Sequence, residues 1–251
     1  VLSFFGLVPA ALAGVDIPKL LRSAQAMANQ CGPETQVDEN PGAILGAVMG
    51  ILAKSGRDKV TFVASPSITD FPNWVEQLIA ESTGKEGLGI LPVVGEPLGP
   101  PEVYGNDRVF VSLHVGDETH NEAGLSSLED AGHPVLRLNL DDIYDLGGQF
   151  FLWEFATIVA SHFLEINPFD QPDVESAKIL AREMVVAYSE TGALPQGETT
   201  LPSAHVLNEF LGSAKPGDYV ALQAYVHPTP EVVAKLQALR LEARQRFQLA
   251  T

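Results

Sequence analysis

Five short runs of apolar and β-branched residues, separated mostly by stretches of helical periodicity, constrain this fold more than any other feature of the chain. The runs are Lys59–Ala64, Gly89–Val93, Arg108–Val115, Pro134–Leu138 and Tyr219–Val226. Their apolar character is close to continuous rather than alternating. That marks strands buried on both faces, and such strands need helices above and below them. The chain therefore reads as a doubly wound α/β fold with a five-stranded, mainly parallel sheet flanked by helices. Helical patterns fall at Asp70–Ser82, Glu122–Ala131, Asp145–Ile166, Val174–Ser189 and Ser203–Leu211, and a terminal helix starts at Pro230. Ahead of the first strand, Leu7–Ala13, Ile17–Gln30 and a segment from Asn40-Pro41 to Lys54 predict a helical N-terminal layer over about residues 1–56. Asp16 is a natural cap for the second of these helices, with Pro18 in its first turn. One domain over residues 1–251 is expected. In open sheets of this kind ligands sit outside the carboxyl ends of the strands, so the loops after Ala64, Val93, Val115 and Leu138 are where chemistry is first sought.

Composition supports a folded core and narrows the partners. With 251 residues and 45% hydrophobic content the chain can bury a large interior. A formal charge of −17 disfavours nucleic acid and anionic membrane surfaces. Eleven carboxylates between Gly95 and Asp145, against Arg108 and Arg137, read as a solvated acidic face. The single cysteine, Cys31, allows no internal disulfide and no cysteine-built zinc site, which fits a reducing, cytoplasmic compartment. The apolar opening, Val1-Leu2-Ser3-Phe4-Phe5, lacks the basic flank of a signal peptide, and Pro9, Gly14 and Asp16 keep it from spanning a membrane. A hydrophobic beginning and an ending within a helical pattern suggest a piece of a longer polypeptide. Pro195–Pro202 reads as a surface loop.

Common catalytic signatures are missing. There is no phosphate-cradling Gly-x-x-x-x-Gly-Lys-Ser/Thr and no Gly-x-Gly-x-x-Gly. The histidines lack metal-ligand spacing, and no serine sits in a Gly-x-Ser-x-Gly elbow. Thr83-Gly84-Lys85 resembles a fragment of the phosphate loop but follows a helix instead of a strand. Two other stretches carry more. In Trp74–Lys85, Gln77 and Glu81 are four apart and share one helix face, with Glu81 in the last turn before Gly84. A carboxylate at the negative end of a helix dipole holds its proton more strongly, which suits a general base. Further on, Asn167-Pro-Phe-Asp-Gln-Pro172 separates two helical patterns, and Lys178 lies in the second. Read alone, the Gln/Glu pair is an ordinary solvated row and Lys178 a surface lysine.

Together, in this order on an α/β chain, Gln77-Leu-Ile-Ala-Glu81-Ser-Thr-Gly-Lys85 and Asn167–Pro172 with Lys178 resemble the second sugar-isomerase (SIS) half of the phosphoglucose isomerases. The likeness is closest to the isomerase part of transaldolase/glucose-6-phosphate isomerase fusions. Phe5–Ala13, Gly56–Lys59, Tyr104–Arg108 and Gly217–Leu222 add to it. The resemblance implies interconversion of glucose 6-phosphate and fructose 6-phosphate through a cis-enediol, without cofactor or metal. It assigns Glu81 as the base between C1 and C2, Gln77 as a substrate hydrogen-bond donor from the same face, and Lys178 as the lysine that helps ring opening. The implied partners are the sugar phosphate, a first SIS domain and a transaldolase domain of the same polypeptide, and further copies of the chain, since the family is commonly oligomeric. The chain departs from the pattern at Phe150, where stand-alone isomerases place a histidine, and at Leu88 and Leu152, where the fusion branch has basic residues. These departures keep a second reading open, a non-catalytic SIS module that binds sugar phosphates.

Overall fold

The computed structural model describes residues 1–118, 121–170, 172–195 and 203–251. Most of the loop expected at Pro195–Pro202, and Gln171 of the Asn167–Pro172 turn, lie outside the described residues. Three helices come first: α1 (Phe4–Leu12), α2 (Ile17–Gln30) and α3 (Pro41–Lys54). The Asp16 carboxylate accepts from the Lys19 amide at 3.0 Å, and the Asn40 side chain accepts from the Ala43 amide at 2.9 Å, so α2 and α3 begin at capping residues followed by proline. The sheet contains β1 (Lys59–Ala64), β2 (Leu91–Val93), β3 (Arg108–Val115) and β4 (Val135–Leu140). It alternates with α4 (Phe71–Thr83) and α5 (Glu122–Asp130) and is followed by α6 (Leu146–Leu164). The chain continues through α7 (Pro172–Thr191), α8 (Ala204–Gly212) and α9 (Pro230–Phe247).

All three strand pairings are parallel, in the order β2-β1-β3-β4. Sequence order moves outward from β1 in one direction and from β3 in the other, so the sheet is doubly wound about the β1/β3 junction. The fifth expected strand does not form. Tyr219 and Ala250 make one isolated parallel bridge, with the Val220 amide donating to the Ala250 carbonyl at 2.9 Å. The run does not join the sheet, because its apolar side chains find no cover there: Tyr225 is 98% exposed, and Leu222 and Val226 are also exposed. A strand is held by its ladder and by burial of its faces, and this run has neither.

One face of the sheet carries the main core. Val60, Phe62, Val111, Leu113 and Val115 pack under Val75 and Ile79 of α4 and under Leu152, Trp153, Ala156 and Ala160 of α6. Helices α2 and α3 pack on the outer side of α6 and cover most of it. Three glycines four residues apart on α3 make that contact close. A Cβ on Gly46 would come within 2.5 Å of the Ala156 carbonyl, and one on Gly50 within 2.6 Å of Phe163. Gly147 and Gly148 lie in the first turn of α6, as the helical pattern expected from Asp145 implies, and a Cβ on Gly147 would overlap the Leu20 carbonyl.

The other face is smaller and partly ionic. Tyr104, Phe110 and Leu128 form its apolar patch, and beside it Glu96, Arg108 and Arg244 are buried together. Glu96 Oε1 accepts from Arg244 Nη1 at 3.1 Å and Oε2 from Arg108 Nη2 at 3.4 Å. This corrects the reading of the Gly95–Asp145 stretch as a wholly solvated acidic face: Glu122 and Glu129 do pair with Arg137 at the surface, but Glu96 lies in the interior. No helix among the described residues is long and apolar enough to cross a membrane.

Candidate functional site

Helix α4 sets the geometry of the first motif. Phe71, Val75 and Ile79 recur every four residues and are buried against the core, so the opposite side of the helix faces out. Gln77 and Glu81 lie on that outer side, both exposed, and Gln77 Nε2 donates to Glu81 Oε1 at 3.2 Å. The expected sharing of one helix face is therefore observed. An amide held four residues before a carboxylate fixes the orientation of that carboxylate on the helix surface.

The helix stops in a tightly locked segment. Thr83, fully buried, donates its hydroxyl to the Ile79 carbonyl at 2.8 Å and accepts from the Ile90 amide at 3.0 Å. Lys85 and Leu88 exchange backbone hydrogen bonds around Glu86 and Gly87, whose φ values are 57° and 74°. Two successive left-handed residues make a primed two-residue reversal. Gly87 adopts this conformation freely, whereas Glu86 is strained in it.

This arrangement puts the motif at the end of the sheet opposite to the one the general rule indicates. The end of α4, at Ala80 and the capping Gly84, lines a cleft of about 570 Å³ together with Asp58, Lys59 and Leu91. Those residues lie at the amino ends of β1 and β2, because a crossover helix runs back antiparallel to its strands. The loops at the carboxyl ends hold a separate set of contacts: the Ser67 amide donates to Glu118 at 3.1 Å, and His114 Nε2 lies 2.8 Å from the Glu118 carbonyl. Hydrogen bonds from Ser67 hold the Glu118 carboxyl below its usual range. None of Gln77, Glu81 and Lys178 lines the 570 Å³ cleft.

The second motif meets the first through a residue that sequence reading set aside. Lys85 is 4% exposed, and its Nζ donates to the Asn167 carbonyl at 2.7 Å and to the Asp170 carbonyl. Within the turn, Asn167 accepts from the Phe169 amide at 3.1 Å and donates to the Asp170 carboxylate at 2.7 Å. Helix α7 follows, with Lys178 exposed on it. Most of α7 stands in solvent, including Leu180, Val185 and Val186. The Lys85 side chain thus ties the first motif segment to the backbone of the second.

The departures from the resemblance are structural positions. Phe150 packs edge-on against Trp74 and Phe71 at centroid distances of 4.7 and 5.3 Å, and Leu152 is 2% exposed in the main core. Leu88, by contrast, is half exposed at the locked reversal and lines the cleft. Burial raises the carboxyl of Glu76, opposed by the charge of Arg240. Glu76 precedes Gln77 on α4 but belongs to the helix side that faces α9. Among the described residues no three His, Cys, Asp or Glu side chains gather so as to hold a metal ion.

No protein-family model matches the chain. It is 29% identical over 238 residues to the glucose-6-phosphate isomerase of Leptospira interrogans, covering 79% of this chain and 53% of that protein. The isomerase of Heliobacterium modesticaldum is 30% identical over 218 residues, covering 71% of this chain and 48% of its own length. That of Enterococcus faecalis is 26% identical over 217 residues, with 71% and 48% covered. The chain spans about half the length of the curated relatives it matches. Among solved structures, a hypothetical protein of Thermus thermophilus superposes with a TM-score of 0.61 at 21% identity, over 72% of this chain and 53% of that one, which establishes a shared fold.

Proposed function

We propose, for a chain whose sequence fits a fragment of phosphoglucose isomerase, that it supplies the base-bearing part of an aldose–ketose isomerase site. The substrates are glucose 6-phosphate and fructose 6-phosphate. In this reading Glu81 removes the proton at C2 of the open-chain aldose, giving a cis-enediol, and returns it at C1. Gln77 orients the carboxylate and hydrogen-bonds the sugar, and Lys178 favours ring opening from beside the ring oxygen. No cofactor takes part, because oxidation at C2 and reduction at C1 balance within one molecule. The observation that carries the reading is the exposed Gln77/Glu81 pair at the end of α4, joined through Lys85 to the turn that leads into α7. Proton abstraction beside a carbonyl needs a positioned carboxylate, and the enediolate needs a nearby cation or donors.

The remaining parts of the site are assigned to segments outside this chain. A first SIS domain would hold the phosphate with local donors, because a chain of net charge −17 does not attract a phosphosugar by its overall field. The finer likeness adds a transaldolase domain on the same polypeptide. Residues 1–251 then form a single SIS-type domain of a cytoplasmic, oligomeric enzyme, and the isolated chain has little turnover.

Glu81→Gln in the full polypeptide tests the base assignment. Isomerisation, and exchange of the substrate C2 hydrogen with solvent, should both fall by roughly 10²–10⁴-fold while the fold is retained. Unchanged exchange would refute the role of Glu81. Binding of fructose 6-phosphate without turnover in the unmutated full polypeptide would favour the sugar-phosphate-binding module instead.

A further inference from the structure

We propose that Lys85 is a positioning residue of the isomerase site, holding the start of α7 against the end of α4 so that Lys178 and Glu81 address one substrate. The inference rests on the proposed roles of those two residues. Three features of the structure carry it.

The first is burial. Lys85 is 4% exposed, so its ammonium has left water and must be solvated by protein groups. It finds two carbonyl oxygens, of Asn167 and Asp170, and both belong to the turn before α7. The negative end of the α4 dipole, immediately before it in the chain, adds to the stabilisation of the cation. The second is rigidity. Lys85 is also one end of the backbone reversal through Glu86 and Gly87, and Thr83 and Ile90 brace that reversal from the other side. The side chain therefore leaves a fixed base, not a loose loop. The third is the target. The 167–170 turn is internally ordered by the Asn167 side chain, while the helix beyond it is largely in solvent. An anchor at the turn leading into such a helix bears on where the helix starts. Lys178 lies eight residues past Asp170 on that lever.

Lys85 touches no reacting atom in this scheme, so its effect must pass through Lys178. The test is a double-mutant cycle in the full polypeptide. With Lys178 intact, Lys85→Met should lower kcat about 10–100-fold with KM changed far less, the cost expected when a group is displaced by about 1 Å. In a Lys178→Met background the same substitution should cost no more than about twofold, since the group it positions is gone. A wild-type kcat for Lys85→Met, or a loss that multiplies in full with that of Lys178→Met, overturns the inference. Glu81→Gln is measured alongside: if it is fully active, the isomerase reading itself fails, whereas an inactive Glu81→Gln with independent Lys85 and Lys178 effects removes only the positioning role. Should Lys85→Met not fold, Lys85→Gln, which keeps an N–H donor, takes its place with the same two outcomes. A chain that folds in neither form makes Lys85 a determinant of the fold and overturns the assignment.

Discussion

The two faces of the sheet are stabilised by different physics. Val60, Phe62, Val111 and Leu113 point to one face and pack with apolar side chains of α4 and α6. Thr61, Arg108 and Phe110 alternate with them and point to the other, where Arg108 Nη1 donates to Thr61 Oγ1 at 2.7 Å and two guanidinium groups share the carboxylate of Glu96. The Tyr104 ring lies under both cations, 5.4 Å from the Arg108 Cζ and 5.0 Å from the Arg244 Cζ. Apolar packing is non-directional and accepts many near-equivalent arrangements, whereas a buried ion needs particular partners at particular distances. The difference teaches how α9 is seated. It docks through Arg244, which also donates to the Pro97 carbonyl at 2.6 Å, and through Arg240, which donates to the Val94 carbonyl at 3.0 Å. The C-terminal helix is thus fixed by polar contacts that specify one position, on a face whose apolar patch is small.

The largest expected effect breaks the ionic face. Glu96→Ala leaves two buried guanidinium groups without their carboxylate, and the Nε atoms of both arginines already lack partners among the described residues. Removing one member of such a cluster should destabilise the fold by about 3–5 kcal/mol. Denaturant unfolding measures this, and a loss below about 1 kcal/mol, the range of surface pairs, would show the cluster to be solvated. On the apolar face, Leu113→Ala should cost roughly 2–4 kcal/mol from lost transfer energy and the cavity left behind. The two substitutions should also differ in kind. Replacing Glu96, Arg108 and Arg244 together with apolar residues of similar volume should recover much of the loss, whereas no polar replacement of Leu113 should do so.

That contrast also explains what could be read from sequence. The apolar face was legible because burial on both sides leaves a continuous hydrophobic run: the limits expected for β1 and β3, and those of α2, are the observed ones. The Gln77/Glu81 face was legible because helical spacing alone places residues four apart together. Features fixed by long-range partners were hidden. Glu96 looked like one acid among eleven, since nothing local marks a carboxylate that meets Arg244 across 148 residues. Lys85 looked like the remnant of a phosphate loop, and its real partners lie more than 80 residues away. The run at Tyr219–Val226 failed in the opposite sense. It has strand composition, but β propensity reports a residue's fit to a half-buried surface, and here no such surface is offered. The carboxyl-end rule points to the opposite end of the sheet from this motif, for a related reason. It describes where strand-to-helix loops collect, whereas the Gln77/Glu81 motif sits at the far end of the helix that such a loop begins.

The smallest expected effect sharpens the comparison through pH. His133 is buried on the ionic face, edge-on to Phe110 at 5.5 Å and to Tyr104 at 6.1 Å, with its Nδ1 unpartnered among the described residues. Burial, reinforced by the charge of Arg57, pushes its imidazole below the usual value. In the unfolded chain the ring takes up its proton near pH 6.5. The unfolded state therefore binds the proton first as the solution is acidified. The contribution of His133 to stability is complete above about pH 6.5 and is lost as the pH falls through the depressed folded value. His133→Phe keeps a flat ring between the same neighbours and removes the titration. Between about pH 7.5 and pH 5, the melting temperature of the unmutated chain should fall further than that of His133→Phe, because carboxylates titrate equally in both and cancel in the difference. Parallel falls would mean that His133 is already solvated in the folded state. The same substitution should leave the apolar face untouched, so its effect and that of Leu113→Ala should add when the two are combined.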